Sequence, residues 1–237
     1  MKCIESLYNF RKNVLLLVAA LLTCVVAIAQ EYKYELGGGL GLSSYMGDAN
    51  KNNPFSGLHP SFGAVFRKNL DFRWAVKADL LMGKVSGDTK NSENVYPGNA
   101  SAEFSRNFYE LGGQMEFNFL PYSDKYPYLQ TSKITPYLLA GLGLTLASGN
   151  ETFFGVNFPI GLGIKYKVKN RINLGLECST RKLFDDSFDA PNQSGFNLNN
   201  PYQLNKSIIK NRDWYTILMF SITWDFGPND RKCTNIE

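Results

Sequence analysis

The chain predicts an all-β fold, a single antiparallel transmembrane β-barrel of about eight strands behind a cleavable signal peptide. Three observations carry this. First, residues 153–168 alternate strictly, with Phe154, Val156, Phe158, Ile160, Leu162, Ile164, Tyr166 and Val168 on one face. Gly155, Asn157, Pro159, Gly161, Gly163, Lys165 and Lys167 take the other. A period of two is a strand with one apolar side, and this run suits a tilted crossing of a bilayer better than an ordinary globular strand. Second, the same alternation recurs along the chain, as in a membrane barrel. Third, the N-terminus reads as an export signal. Lys2, Arg11 and Lys12 precede an apolar stretch at 14–26, and Ala27-Ile28-Ala29 forms a cleavage site before Gln30. Cys24 would suit a lipoprotein, but Thr23 is a poor residue before a lipidated cysteine. The expected organisation is a signal peptide at 1–29, a barrel at 30–227 and a short periplasmic tail at 228–237.

Composition narrows the function classes. Cleavage removes 3 of 25 basic and 1 of 21 acidic residues, leaving 22 and 20, a net charge near +2 with His neutral. That is not a nucleic-acid binder's charge. A mean hydropathy of −0.22 excludes a helical membrane bundle but not a barrel, whose strands turn half their residues inward. Only Cys178 and Cys233 remain after cleavage. They match no zinc pattern and no disulfide framework, and no cofactor is expected.

Eight strands follow in order. Residues 32–45 place Tyr32, Tyr34, Leu36, Leu40 and Leu42 in phase. Residues 61–67 are short and carry Phe62, Ala64 and Phe66. Residues 73–86 point Trp74, Val76, Ala78, Leu80 and Met82 outward. Residues 108–119 do the same with Tyr109, Leu111, Met115, Phe117 and Phe119, and residues 137–147 with Leu138, Ala140, Leu142, Leu144 and Leu146. After 153–168 come 172–183, with Ile172, Leu174, Leu176 and Cys178, and 214–226, with Trp214, Thr216, Leu218, Phe220, Ile222, Trp224 and Phe226. Connections after strands 1, 3 and 7 are long and polar, whereas 68–71 and 169–171 are tight. Short periplasmic turns and long outer loops are the habit of such barrels. Residues 120–135 break that rule as a long, aromatic periplasmic connection. It makes Tyr122, Asp124, Tyr126 and Tyr128 candidate partner contacts. Cys233, in the tail of a protein bound for an oxidising compartment, is a fifth candidate: it is either an unpaired thiol, the plainer reading, or forms an intermolecular disulfide to a periplasmic partner.

The inward parity carries Lys33, Glu35, Arg73, Lys77, Asp79, Lys84, Glu110, Glu116, Lys165, Glu177, Arg181 and Asp225. Eight strands enclose an interior just wide enough for side chains. Charges there need partners, so Lys77, Asp79, Glu110, Glu116, Glu177 and Arg181 are expected to form a lumen network that plugs the barrel. The alternative is a small charged pore. Another is a lipid-modifying enzyme using the sole histidine, His59, with Asp48, Ser56 or Ser61. That trio is weak, because Ser and Asp are common loop formers. Gly141-x-Gly143 and Gly161-x-Gly163 lie within strands and are no phosphate loops. The 46–53 segment has too few carboxylates for calcium.

Six segments carry a family resemblance: Tyr45-Met46-Gly47-Asp48-Ala49-Asn50, Phe72-Arg73-Trp74-Ala75-Val76-Lys77, Pro121-Tyr122-Ser123-Asp124-Lys125-Tyr126, Ile134-Thr135-Pro136-Tyr137, Pro159-Ile160-Gly161-Leu162-Gly163-Ile164-Lys165-Tyr166 and Asp213-Trp214-Tyr215. In these segments, and in their order, the chain resembles the PorG family, outer-membrane barrel components of the type IX secretion system. The resemblance spans most of the mature chain. It implies a structural role: anchoring at the outer membrane of a Gram-negative bacterium the periplasmic ring built from the lipoprotein PorK and its partner PorN. It carries over no catalytic or cofactor residues.

Overall fold

Alternation and turn chemistry generate eight strands in the computed structural model, which describes residues 33–46, 57–88, 103–123, 130–149, 152–169, 171–184, 188 and 213–227. They are β1 (Tyr34–Met46), β2 (His59–Asn69), β3 (Trp74–Asp88), β4 (Glu103–Asn118), β5 (Ile134–Ser148), β6 (Phe153–Lys169), β7 (Ile172–Leu183) and β8 (Trp214–Phe226). Each pairs antiparallel with the next, and β1 closes on β8 from Tyr34↔Phe226 to Met46↔Trp214. A closed barrel leaves no strand edge, so ladder bonds satisfy the backbone without water. The expected signal peptide, Asp48, Ser56, Asp124, Tyr126, Tyr128 and Cys233 lie outside the described residues.

The outside of the barrel is apolar. On β5, Ile134, Leu138, Leu142, Leu144 and Leu146 are all about half exposed, with Leu142 at 62%. Twelve residue steps at ~3.3 Å give about 40 Å of strand, or about 30 Å of height at a tilt near 40°. That matches the hydrocarbon layer of a bilayer with part of its interfaces. The inside is polar at its centre, with Glu35, Lys77, Glu116 and Arg181 each at most 2% exposed. A soluble barrel has the opposite arrangement, so burial defines a membrane-spanning one.

Glycine allows the tightest seam. A Cβ on Gly37 would sit 2.0 Å from the Ile222 carbonyl oxygen, and one on Gly39 would meet Met219 Sδ at 2.8 Å. The backbones of β1 and β8 approach too closely there for any side chain. The β5–β6 ladder has a gap at Gly141 and Leu142, opposite Phe158 and Pro159. Pro159 has no N–H to donate.

Several strands overrun their expected limits. β2 begins at His59 and ends at Asn69, β3 continues to Asp88, and β4 begins at Glu103 rather than Phe108. Two residues also change place. Lys84 lies on the outward parity of β3 and is exposed, not in the lumen. Arg73 precedes β3 at the rim, where it is exposed and donates from Nη1 to the Phe119 carbonyl at 3.0 Å.

The candidate functional site is the filled lumen

At the centre, Glu116 (β4) gathers cations from three other strands. Arg67 (β2) donates to it from Nε at 2.7 Å and from Nη2 at 3.1 Å. Lys165 (β6) donates at 2.5 Å, and Lys77 (β3) lies 3.9 Å away. Arg67 also bonds Glu35 (β1), which accepts from Asn69 at 2.7 Å and from Thr223 at 3.0 Å. Alternation puts every one of these side chains inside, and closure brings their strands within reach.

A second cluster adjoins it. Lys77 donates to Glu177 at 2.6 Å, and the Tyr137 hydroxyl donates to the same carboxylate oxygen at 2.8 Å. Gln114 donates to Asp79 at 2.8 Å, and Lys77 stands 3.7 Å from that carboxylate. Towards the long loops, Arg181 meets Glu110 at 3.2 Å and anchors on the Ser179 carbonyl at 2.9 Å. The Tyr215 hydroxyl donates to Glu110 at 2.6 Å. A desolvated charge is costly unless paired and hydrogen-bonded, and here pairing spans the barrel wall to wall.

Beyond this layer the long-loop end is filled by rings. Tyr215 stacks on Phe188 with centroids 5.6 Å apart, and Phe153 meets Phe188 edge-on at 5.2 Å. Tyr45 packs against Phe104 at 4.7 Å and donates its hydroxyl to Asp213. Leu81, Val85, Phe108, Ile217 and Met219 complete an apolar plug.

At the short-turn end the described parts of the β4–β5 connection, residues 119–123 and 130–133, lie at the mouth. Its Tyr122 N–H donates to the Phe72 carbonyl at 3.1 Å, and Ser132 N–H to the Pro121 carbonyl at 2.7 Å. The Tyr122 hydroxyl donates to Asn173 at 2.9 Å, and Lys167 lies over its ring at 5.3 Å. Lys167 in turn pairs with Asp225 at 2.8 Å.

Of the sequence-derived site residues, Lys77, Asp79, Glu110, Glu116, Glu177 and Arg181 come together in the lumen. Tyr122 is 8% exposed, with its hydroxyl turned inward onto Asn173. His59 sits at the long-loop rim with Nε2 2.7 Å from Ser86 Oγ, while Ser61 is buried in the wall. Among the described residues no three His, Cys, Asp or Glu side chains are grouped to hold a metal. Sequence reading missed Arg67, Tyr137, Asn173 and the ring plug. Parity pointed Arg67 and Tyr137 inward, but each stood at a presumed strand end. Nothing local marked Phe188.

These features define a membrane-spanning eight-stranded barrel with a filled interior. The chain belongs to the family described as Domain of unknown function (DUF6089), whose model matches residues 12–235. No curated protein matches it in sequence. Among solved structures it is similar to Neisserial surface protein A, at 12% identity over 82% of this chain and 97% of that one, with a TM-score of 0.49. It is similar to the attachment invasion locus protein Ail of Yersinia pestis, in complex with the heparin analogue sucrose octasulfate, at 11% identity over 83% and 99%, with a TM-score of 0.44. The outer membrane protein OprG of Pseudomonas aeruginosa gives 10% identity over 85% and 100%, with a TM-score of 0.43.

Proposed function

We propose that this protein is an integral outer-membrane barrel of a Gram-negative bacterium that serves as a structural, non-catalytic component of type IX protein secretion. In this reading it anchors a periplasmic ring of the PorK and PorN type at the membrane. The observation that carries the reading is the filled lumen. Charge pairs, a ring plug and the Tyr122 stopper occupy the space that a pore or a substrate site would need. An interior so occupied supports a role carried by the rims. The resemblance to the PorG family supplies the partner, and its Pro121–Tyr126 segment begins at the short-turn mouth.

Photo-crosslinking in intact membranes tests this. A crosslinking residue at Leu70 or Leu120, both exposed at the short-turn end, should give adducts with ring proteins. One at Glu103, exposed at the far end of β4, should not. Adducts from Glu103 alone would overturn the reading.

A further inference from the structure

We propose that the lumen binds one monovalent metal cation, of the sodium or potassium kind, between Asp79, Gln114 and Asn157. Three side-chain oxygens there meet no hydrogen-bond donor among the described residues: Asp79 Oδ1, Gln114 Oε1 and Asn157 Oδ1. The three residues are 3%, 2% and 0% exposed, so bulk solvent does not reach them. A buried polar atom without a partner is rare, because leaving one costs its full desolvation.

Pairing sets these side chains in one row. Asp79 pairs with Gly112, Gly112 with Gly143 and Gly143 with Asn157, across β3, β4, β5 and β6. The two glycines leave the middle of the row bare, and the outer side chains lie over it. A Cβ on Gly112 would sit 2.1 Å from Asp79 Oδ1, and one on Gly143 2.6 Å from Asn157 Oδ1. Paired Cβ positions are about 5 Å apart, so the two oxygens occupy neighbouring places in one cradle. Gln114, two residues along β4, brings its Nε2 to 3.2 Å from the Gly112 position. Neighbours fix which end of each amide is left over. Gln114 Nε2 donates to Asp79 Oδ2 at 2.8 Å, which leaves Oε1. Asn157 Nδ2 donates to Thr145 at 2.5 Å and to the Tyr215 hydroxyl at 3.2 Å. Tyr215 gives its one proton to Glu110, so it can only accept from Asn157, and the Asn157 oxygen is turned to Gly143.

The donor set selects the occupant. All three atoms are acceptors, which excludes an anion. Carboxylate and amide oxygens suit hard cations rather than zinc or copper. With a single carboxylate, and with Lys77 3.7 Å from its other oxygen, one positive charge is favoured over two. Local charge balance agrees. Asp79, Glu110 and Glu177 share Lys77 and Arg181, and Lys77 lies closer to Glu177, at 2.6 Å, than to Asp79. One more positive charge evens that count and removes the cost of a buried charge with no close partner. In this place the cation ties β3, β4 and β6 together across the lumen.

The test uses full-length protein refolded into lipid vesicles with choline chloride as the only salt. Replacing choline by sodium or potassium at constant ionic strength should raise the urea midpoint along a saturating curve, because a ligand of the folded state stabilises by mass action. Asp79→Asn keeps the side chain's shape, removes the charge and should lose that dependence. Glu103→Gln, outside the lumen, should keep it. Heat-modifiable gel mobility reports folding of each. Crystals of the wild-type protein grown with rubidium or thallium(I) salts should show an anomalous peak between Asp79, Gln114 and Asn157, a result that depends on no variant. A wild-type midpoint indifferent to the cation, or equal sensitivity in folded Asp79→Asn, would overturn the site. So would ordinary density there without anomalous signal, which would make the occupant water.

Discussion

Replacing Glu116 by glutamine removes one charge from the centre of the lumen and barely alters the side chain's shape. Arg67 would keep a carboxylate partner in Glu35. Lys165 would not, keeping only uncharged partners such as the Asn118 side-chain oxygen at 3.3 Å and the Tyr137 ring at 4.5 Å. Its side chain is 2% exposed, so water cannot replace the lost charge. Removing one partner of a buried pair costs about 3–5 kcal/mol, a factor of roughly 10² to 10⁴ in the folding equilibrium. Adding Lys165→Met to Glu116→Gln removes the orphaned charge, and the two changes should couple by about 1 kcal/mol or more. Glu103→Gln, at an exposed strand end, should stay within about 0.5 kcal/mol of wild type. Urea unfolding in lipid vesicles, read by fluorescence of Trp74, Trp214 and Trp224, measures these variants together with Lys165→Met alone, which completes the cycle. Glu116→Gln as stable as Glu103→Gln would refute the charge layer as described.

Further expectations follow from the wall. Leu142→Arg places a charge on the outward face near mid-bilayer and should cost about 2–4 kcal/mol. Its neighbour Gly143→Ser puts a Cβ 2.6 Å from Asn157 Oδ1, displacing a side chain that donates to Thr145 at 2.5 Å. It should cost about 1–3 kcal/mol, and urea titration showing it silent would mean the packing is misdrawn. Replacing both Trp224 and Phe226 by Asn removes rings that stack at 6.3 Å beside the β1–β8 closure. Such a chain should be missing from outer-membrane fractions, and normal levels there would contradict the role given to the final strand. Maleimide should label Glu103→Cys on intact cells, and Leu70→Cys only after the membrane is opened. The reverse pattern would invert the topology.

The strand pattern was legible wherever lipid contrasts with lumen. β7 and β8 fall at their expected limits because apolar outward residues run to both ends. β4 was cut short because Glu103, Ser105 and Asn107 face outward beyond the apolar band, where strand and loop share a polar composition. Lys84 is a different case: it shares the outward parity of Leu80 and Met82, so its expected place in the lumen ran against the alternation of its own strand. The charge layer could be read from parity, but its partners depend on closure, which brings β2, β4 and β6 together at Glu116. The ring plug was hidden because inward Phe104, Phe108 and Phe153 look like any membrane-facing aromatic. Tyr122 appeared to be surface because it lies in a long connection. Only the folded loop, with its hydroxyl on Asn173, turns it inward.

Among the described residues the lumen is occupied by paired charges and stacked rings, and ion conduction probes that filling directly. Full-length protein refolded into planar bilayers should hold the baseline current across applied potentials of either sign, because paired charges and stacked rings occupy the lumen. Steady unitary openings that change in size when Glu116 or Arg181 is replaced would contradict it and make the lumen a pore.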